Sequence, residues 1–155
     1  MPEILKLLHE DHVKVKNLFK DFEKAEDAET KKGIVDAASI ELMAHTQLEE
    51  ELFYPAIRKE GEEAAMLIDE AEEEHHVVKF LISELAGMKP NMPRYDAQFM
   101  VMRENVEHHI QEEESAVFDQ AEEMGRERLE RMGEQFMERK EKVQAEMMRS
   151  RRRAA

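Results

Sequence analysis

Four stretches of the chain carry apolar residues at alternating steps of three and four. They are Leu5, Leu8, Val15, Phe19 and Phe22; Ile34, Ala38, Leu42, Leu52 and Ala56; Ile68, Ala71, Val78, Ile82 and Leu85; and Phe99, Met102, Val106 and Ala116. That spacing is the seam of a helix facing partner helices. Each seam is interrupted by one histidine: His12, His45, His75 and His109. In the second and fourth, a glutamate follows one turn later, Glu49 and Glu113. Burying those carboxylates without a partner would cost several kcal/mol each. A fold that turns all six side chains inward must therefore supply something for them to meet.

Breaks at Asp27–Thr30, Gly61, Gly87–Pro93 and Gly125 delimit five helical blocks. They are predicted over Glu3 to Glu26, Thr30 to Lys59 with Thr30 as N-cap, Glu62 to Ala86, Arg94 to Met124, and Arg126 to Met148. Long rods with short links predict an all-α fold, an antiparallel up-down-up-down four-helix bundle over residues 1–124. The remaining residues, 125–155, form an additional C-terminal helix, amphipathic through Leu129, Met132, Phe136 and Val143, and a basic tail. That helix is expected to cap the bundle, pack along its side or mediate assembly. The chain also repeats itself. His12 and His75 are 63 residues apart, and the His45/Glu49 pair returns as His109/Glu113 at an offset of 64, which predicts approximate twofold symmetry.

Composition bounds the function. A chain of 155 residues with 41% hydrophobic content is long enough for one core. A formal net charge of -14 excludes a general nucleic-acid binder, since phosphate contacts need a basic surface. The only basic cluster, Arg149–Arg153, reads as a solvated, frayed end. No apolar stretch is long enough to cross a membrane, and the first residues lack a signal-peptide pattern. A cytoplasmic location fits the absence of cysteine, which also removes thiolate metal ligands. The twelve methionines read as core filling.

Residues four apart share a helix face, so His45 with Glu49, and His109 with Glu113, can reach one point, joined there by His12 and His75. Six donors are too many for one tetrahedral zinc. They suit two octahedral ions with both carboxylates bridging, a solvent-derived oxo or hydroxo bridge and one open position. Imidazole and carboxylate ligation with an open position is typical of non-haem iron. A reducible di-iron pair of that kind can bind O2, nitric oxide or peroxide.

The stretches "HEDHVKVKNLF", "HTQLEEELFYP", "EEEHHVVKFLISEL" and "HHIQEEESAVF" carry a family resemblance. Over about residues 3 to 124 the sequence resembles a hemerythrin-like domain of the HHE cation-binding family. The resemblance implies a four-helix bundle with a non-haem di-iron centre held by His12, His45, Glu49, His75, His109 and Glu113. Oxygen-carrying hemerythrins have a second histidine four residues after that of the third helix, where this chain has Lys79. They also place an aspartate after the fourth-helix histidine, where this chain has the His-x-x-x-Glu form. The four-His, two-Glu set resembles bacterial members linked to oxygen or nitric-oxide sensing, peroxide handling or iron–sulfur cluster repair. The repair proteins also carry a cysteine-containing N-terminal domain that is not seen here.

Three kinds of function follow. One is a di-iron protein that binds or senses O2, nitric oxide or peroxide. Another is a di-iron enzyme with catalase-like or nitric-oxide-reducing activity. The third is a metal store or a metal-free helical interaction module. The expected partners are small molecules, with no nucleic acid and no membrane, and with a protein partner or a second copy possible through the C-terminal helix. Around the ligands, His9, His76 and His108 sit off the seams and read as flanking or surface residues. Glu50, Glu51, Glu112 and Glu114 read as a solvated face, one of which could orient an imidazole. Tyr54 reads as aromatic packing, with a phenol able to donate to bound oxygen or to ligate iron.

Overall fold

A carboxylate opens the first helix of the computed structural model, which describes residues 3–154. The Glu3 side chain accepts the Lys6 amide at 3.2 Å and starts α1, Ile4–Lys24. Helix α2, Ala28–Leu48, is capped by Asp27, not by Thr30 as the sequence suggested. The short Asp27 side chain accepts both the Thr30 amide and the Thr30 hydroxyl at 2.8 Å, so Thr30 lies inside the first turn. The rod continues through a π turn, Glu49–Phe53, into α3, Tyr54–Arg58. Gly61, at φ 149°, admits the reversal into α4, Glu62–Ala86. The fourth rod is α5, Tyr95–Glu112, a second π turn, Glu113–Val117, and α6, Phe118–Glu122. Gly125, at φ 88°, turns the chain into α7, Arg126–Ala154.

The rods α1, α2–α3, α4 and α5–α6 form an antiparallel four-helix ring. In it α1 packs on α2, α2 meets α4, α4 packs on α5 and α5 returns to α1. The fifth rod, α7, lies mainly against α2 and α1, where it buries Leu129, Met132, Phe136 and Val143. It does not stop at Met148, and the basic end is not frayed. Arg151, still helical, bonds Asp36 on α2 at 2.5 Å. Among the described residues no helix is long and apolar enough to cross a membrane.

The predicted seams of α1 and α4 are buried throughout. In the other two rods the register slips by one residue after the glutamates. Phe53 and Ile57 are buried where Leu52 and Ala56 were expected, and Val117 replaces Ala116. The cause is the π turn. The Tyr54 amide bonds Glu49 O, and the Phe118 amide bonds Glu113 O, each five residues back, which inserts one residue into the helical phase. Met102, Met124 and Met132 do fill the core, but Met66, Met92, Met137 and Met148 are exposed.

The apolar interior is split in two. One cluster holds Leu8, Leu48, Phe53, Ile57 and Val117 with the buried face of α7. The other holds Val15, Phe19, Leu42, Val78, Phe99 and Val106. Between them lies a polar layer.

Candidate metal centre

The polar layer is made of the six residues that interrupt the seams. His12, His45, Glu49, His75, His109 and Glu113 are all buried, and both glutamates begin π turns. The imidazoles are paired. His12 Nε2 and His45 Nε2 lie 3.1 Å apart, as do His75 Nε2 and His109 Nε2. The carboxylates span the two pairs. Glu49 Oε1 is 3.0 Å from His45 Nε2 and 3.2 Å from His75 Nε2. Glu113 lies 3.2 Å from His12 Nε2 through Oε1 and 3.3 Å from His109 Nε2 through Oε2. The structure thus brings together two groups, His12/His45 and His75/His109, that share Glu49 and Glu113.

Every imidazole is held from behind by a carboxylate at Nδ1. Asp11 on α1 holds His45 at 3.0 Å, and Glu50 beside α2 holds His75 at 2.9 Å. Glu74 on α4 holds His109 at 2.8 Å, and Glu114 beside α5 holds His12 at 2.8 Å. The four contacts close a circuit around the bundle, each rod orienting the histidine of the next. Most have a partner further out: Lys140 on Asp11 at 2.5 Å, Lys79 on Glu50 at 2.8 Å, and the His9 imidazole on Glu114 at 2.8 Å. Lys79 is therefore the outer partner of an orienting carboxylate, not a donor to the centre. Of the residues read as a solvated face, Glu50 and Glu114 take this role. Glu51 is bound by Arg139 at 3.1 Å, and His76 is exposed. Asp11 and Glu74 were missed, although each immediately precedes a seam histidine.

This arrangement fits a cation. With each Nδ1–H donated to its carboxylate, the Nε2 lone pairs of each imidazole pair face one another at 3.1 Å. Two nitrogens on neighbouring corners of one ion, each about 2.1 Å from it, stand about 3 Å apart. Among the described residues the buried atoms Glu49 Oε2 and Glu113 Oε1 have no hydrogen-bond partner, an expensive condition unless they are ligands. The protonation preferences agree. Burial would push the His12, His45, His75 and His109 pKa values down, but the surrounding carboxylates outweigh it and raise all four, His109 to about 10. Burial likewise opposes charge on Glu113, yet its close contacts with Glu49, His109 and His12 hold it well below the usual carboxylate range. The layer is built to surround positive charge, which a metal ion or protons can supply.

Tyr54 is more than packing. It is fully buried, and its hydroxyl donates to Glu113 Oε2 at 2.5 Å and lies 3.0 Å from His75 Nε2. Burial, then the charges of Glu113 and Glu49, push its pKa well up, so the phenol keeps its proton. It joins the cluster of Phe53 and Ile57, on the carboxylate side of the layer. On the opposite side is a cavity of about 20 Å³ lined by the four imidazoles with Val15, Leu42, Val78, Val106 and Ile110; Tyr54 does not line it.

A helical ring with buried histidine and glutamate donors defines a metal-binding bundle. The chain belongs to the hemerythrin HHE cation binding domain family, whose model matches residues 3–121. It is 28% identical to an uncharacterised hemerythrin-like protein of Schizosaccharomyces pombe, over 74% of this chain and 57% of that protein. It is 26% identical to a DNA nickase of Nostoc sp., over 70% of this chain and 30% of that protein. The chain thus spans less than two thirds of the length of these curated relatives. The crystal structure of a hemerythrin HHE cation binding domain-containing protein from Mycobacterium kansasii superposes with a TM-score of 0.83 at 28% identity, covering 94% of this chain and 90% of that one.

Proposed function

We propose that the chain holds two iron ions and binds or senses a small oxidant at them: O2, nitric oxide or peroxide. His12 and His45 would hold one ion, His75 and His109 the other, with Glu49 and Glu113 bridging. When bound, such a pair supplies a reducible centre able to exchange electrons with a diatomic or peroxide guest. The protein supplies the rest. The Nδ1 carboxylates fix the ring orientations and raise imidazole basicity. The aliphatic wall of Val15, Leu42, Val78 and Val106 excludes bulk water from the imidazole side. Tyr54 keeps a proton on the carboxylate side, where it steadies Glu113.

The observation that carries this reading is the cavity of about 20 Å³ against all four imidazoles. It has room for about one water-sized molecule, and its walls are aliphatic apart from the imidazoles, Asp11 and Thr46. That size favours a guest of one or two heavy atoms over an organic substrate. The test is the visible spectrum of the iron-loaded, reduced chain before and after O2, nitric oxide or peroxide. A stoichiometric spectral change with slow turnover supports binding or sensing. Sustained gas evolution from peroxide, or steady consumption of nitric oxide, would assign an enzyme instead. No change with any of the three would end the proposal.

A further inference from the structure

We propose that divalent cations reach the buried centre from the α4/α5 side, captured first by Glu74 and Glu112 on the wall of a cavity of about 150 Å³ together with the adjacent His108. The inference rests on the dinuclear reading above. The cavity leads past Glu70, Glu74 and Glu112 to His109 and Glu113. Beside that wall the exposed His108 Nε2 lies 3.1 Å from Glu112 Oε1 and 3.8 Å from Glu74 Oε2, and ligand atoms of all three stand within 4.8 Å of one another. At the inner end of the cavity is Glu113, 1% exposed, whose Oε1 has no hydrogen-bond partner among the described residues. Glu74 Oε1 holds His109 Nδ1 while its Oε2 faces His108, so the carboxylate that first meets a cation is also the one that orients a ligand imidazole.

The other half of the repeat shows that this cluster is not a requirement of the fold. At offsets of 63 and 64, the counterparts of Glu70, Glu74, His108 and Glu112 are Leu7, Asp11, Ala44 and Leu48. Ala44 and Leu48 are buried in the apolar cluster under α7, and Leu7 packs against it. Asp11 is capped by Lys140. The same place in one half is thus apolar and sealed, and in the other acidic, histidine-bearing and open to solvent. Carboxylate and imidazole donors at a mouth of negative potential concentrate divalent cations and speed their capture. The chain's net charge of -14 adds to that field.

The test is the rate of metal uptake. The metal-free full chain is mixed anaerobically with Fe(II), uptake is stopped by a chelator at timed points, and bound iron is counted. The double variant H108A/E112Q changes two partly exposed side chains and leaves Glu74 on His109; Glu63→Gln removes one exposed charge away from the cavity. The double variant should load about tenfold or more slowly yet reach the wild-type plateau, and Glu63→Gln should load at the wild-type rate. Equal rates for the double variant and wild type, at a common plateau of two ions, would overturn the loading route alone. A lower plateau at an unchanged rate would overturn it too, because His108 and Glu112 would then hold metal and not admit it. A wild-type plateau near zero would overturn the dinuclear reading, and the route with it.

Discussion

Tyr54 donates its phenolic proton to Glu113 across 2.5 Å, joining the two rods that carry the π turns. The bond closes one oxygen of a carboxylate that is 1% exposed. Tyr54→Phe removes the donor and leaves that oxygen without it. Metal-free chain should lose about 1–3 kcal/mol of stability in urea unfolding, and the iron-loaded variant should show a shifted visible spectrum. An unchanged midpoint and spectrum would reduce Tyr54 to packing.

Glu114 holds His12 from behind, and His9 is its outer partner. Glu114→Ala frees the ring without touching a donor to the centre. Metal affinity, measured by competition with a chelator, should fall about 10–100-fold. Wild-type affinity in the variant would show that the circuit of carboxylates is incidental.

Protons and metal compete for the same imidazoles, which sets opposite pH trends for the two forms. In the metal-free chain His109 is raised from 6.5 to about 10 by Glu113 and Glu74, against burial. Its contribution to folding is complete below pH 6.5 and is lost as pH rises through about 10. Glu114 is lowered from 4.5 to about 2, chiefly by His12. Its contribution is complete above pH 4.5 and is lost as pH falls through about 2. Metal-free Tm should therefore be highest between about pH 4.5 and 6.5 and decline toward pH 10. Metal binding needs neutral imidazoles, so the Tm gain from iron should grow with pH and iron should leave as pH falls. A metal-free Tm that climbs from neutral to alkaline pH would contradict this.

Phe136 sits 1% exposed between α7 and the bundle. Phe136→Ala should cost about 3–5 kcal/mol and preserve a single unfolding transition, because α7 shares the core of Leu8, Leu48 and Phe53. Two separated transitions would make α7 an independent appendage.

The four-helix ring was legible because α1 and α4 follow an unbroken step of three and four, and the seam histidines stand in that phase. What escaped was the one-residue slip after Glu49 and Glu113, since a π turn has no pattern in a polar run such as "EEEL". Of the orienting carboxylates, Glu50 and Glu114 stood among four residues from which one orienter was expected, while Asp11 and Glu74 escaped for a related reason. Asp11, Glu50, Glu74 and Glu114 each neighbour a seam donor in sequence but serve a histidine on the next rod, and only the packing of rods reveals which. The basic end misled as well. Arg151 has a partner, Asp36, that lies 115 residues away.

The most direct test of the central claim counts metal. Chain produced with ample iron, and its His45→Ala and His109→Ala variants, should be compared by elemental analysis and optical spectrum. The account predicts two iron ions per wild-type chain, about one or none in each variant, and a visible absorption that falls with the metal. Wild-type chain without stoichiometric metal, or variants that keep the full complement, would contradict it.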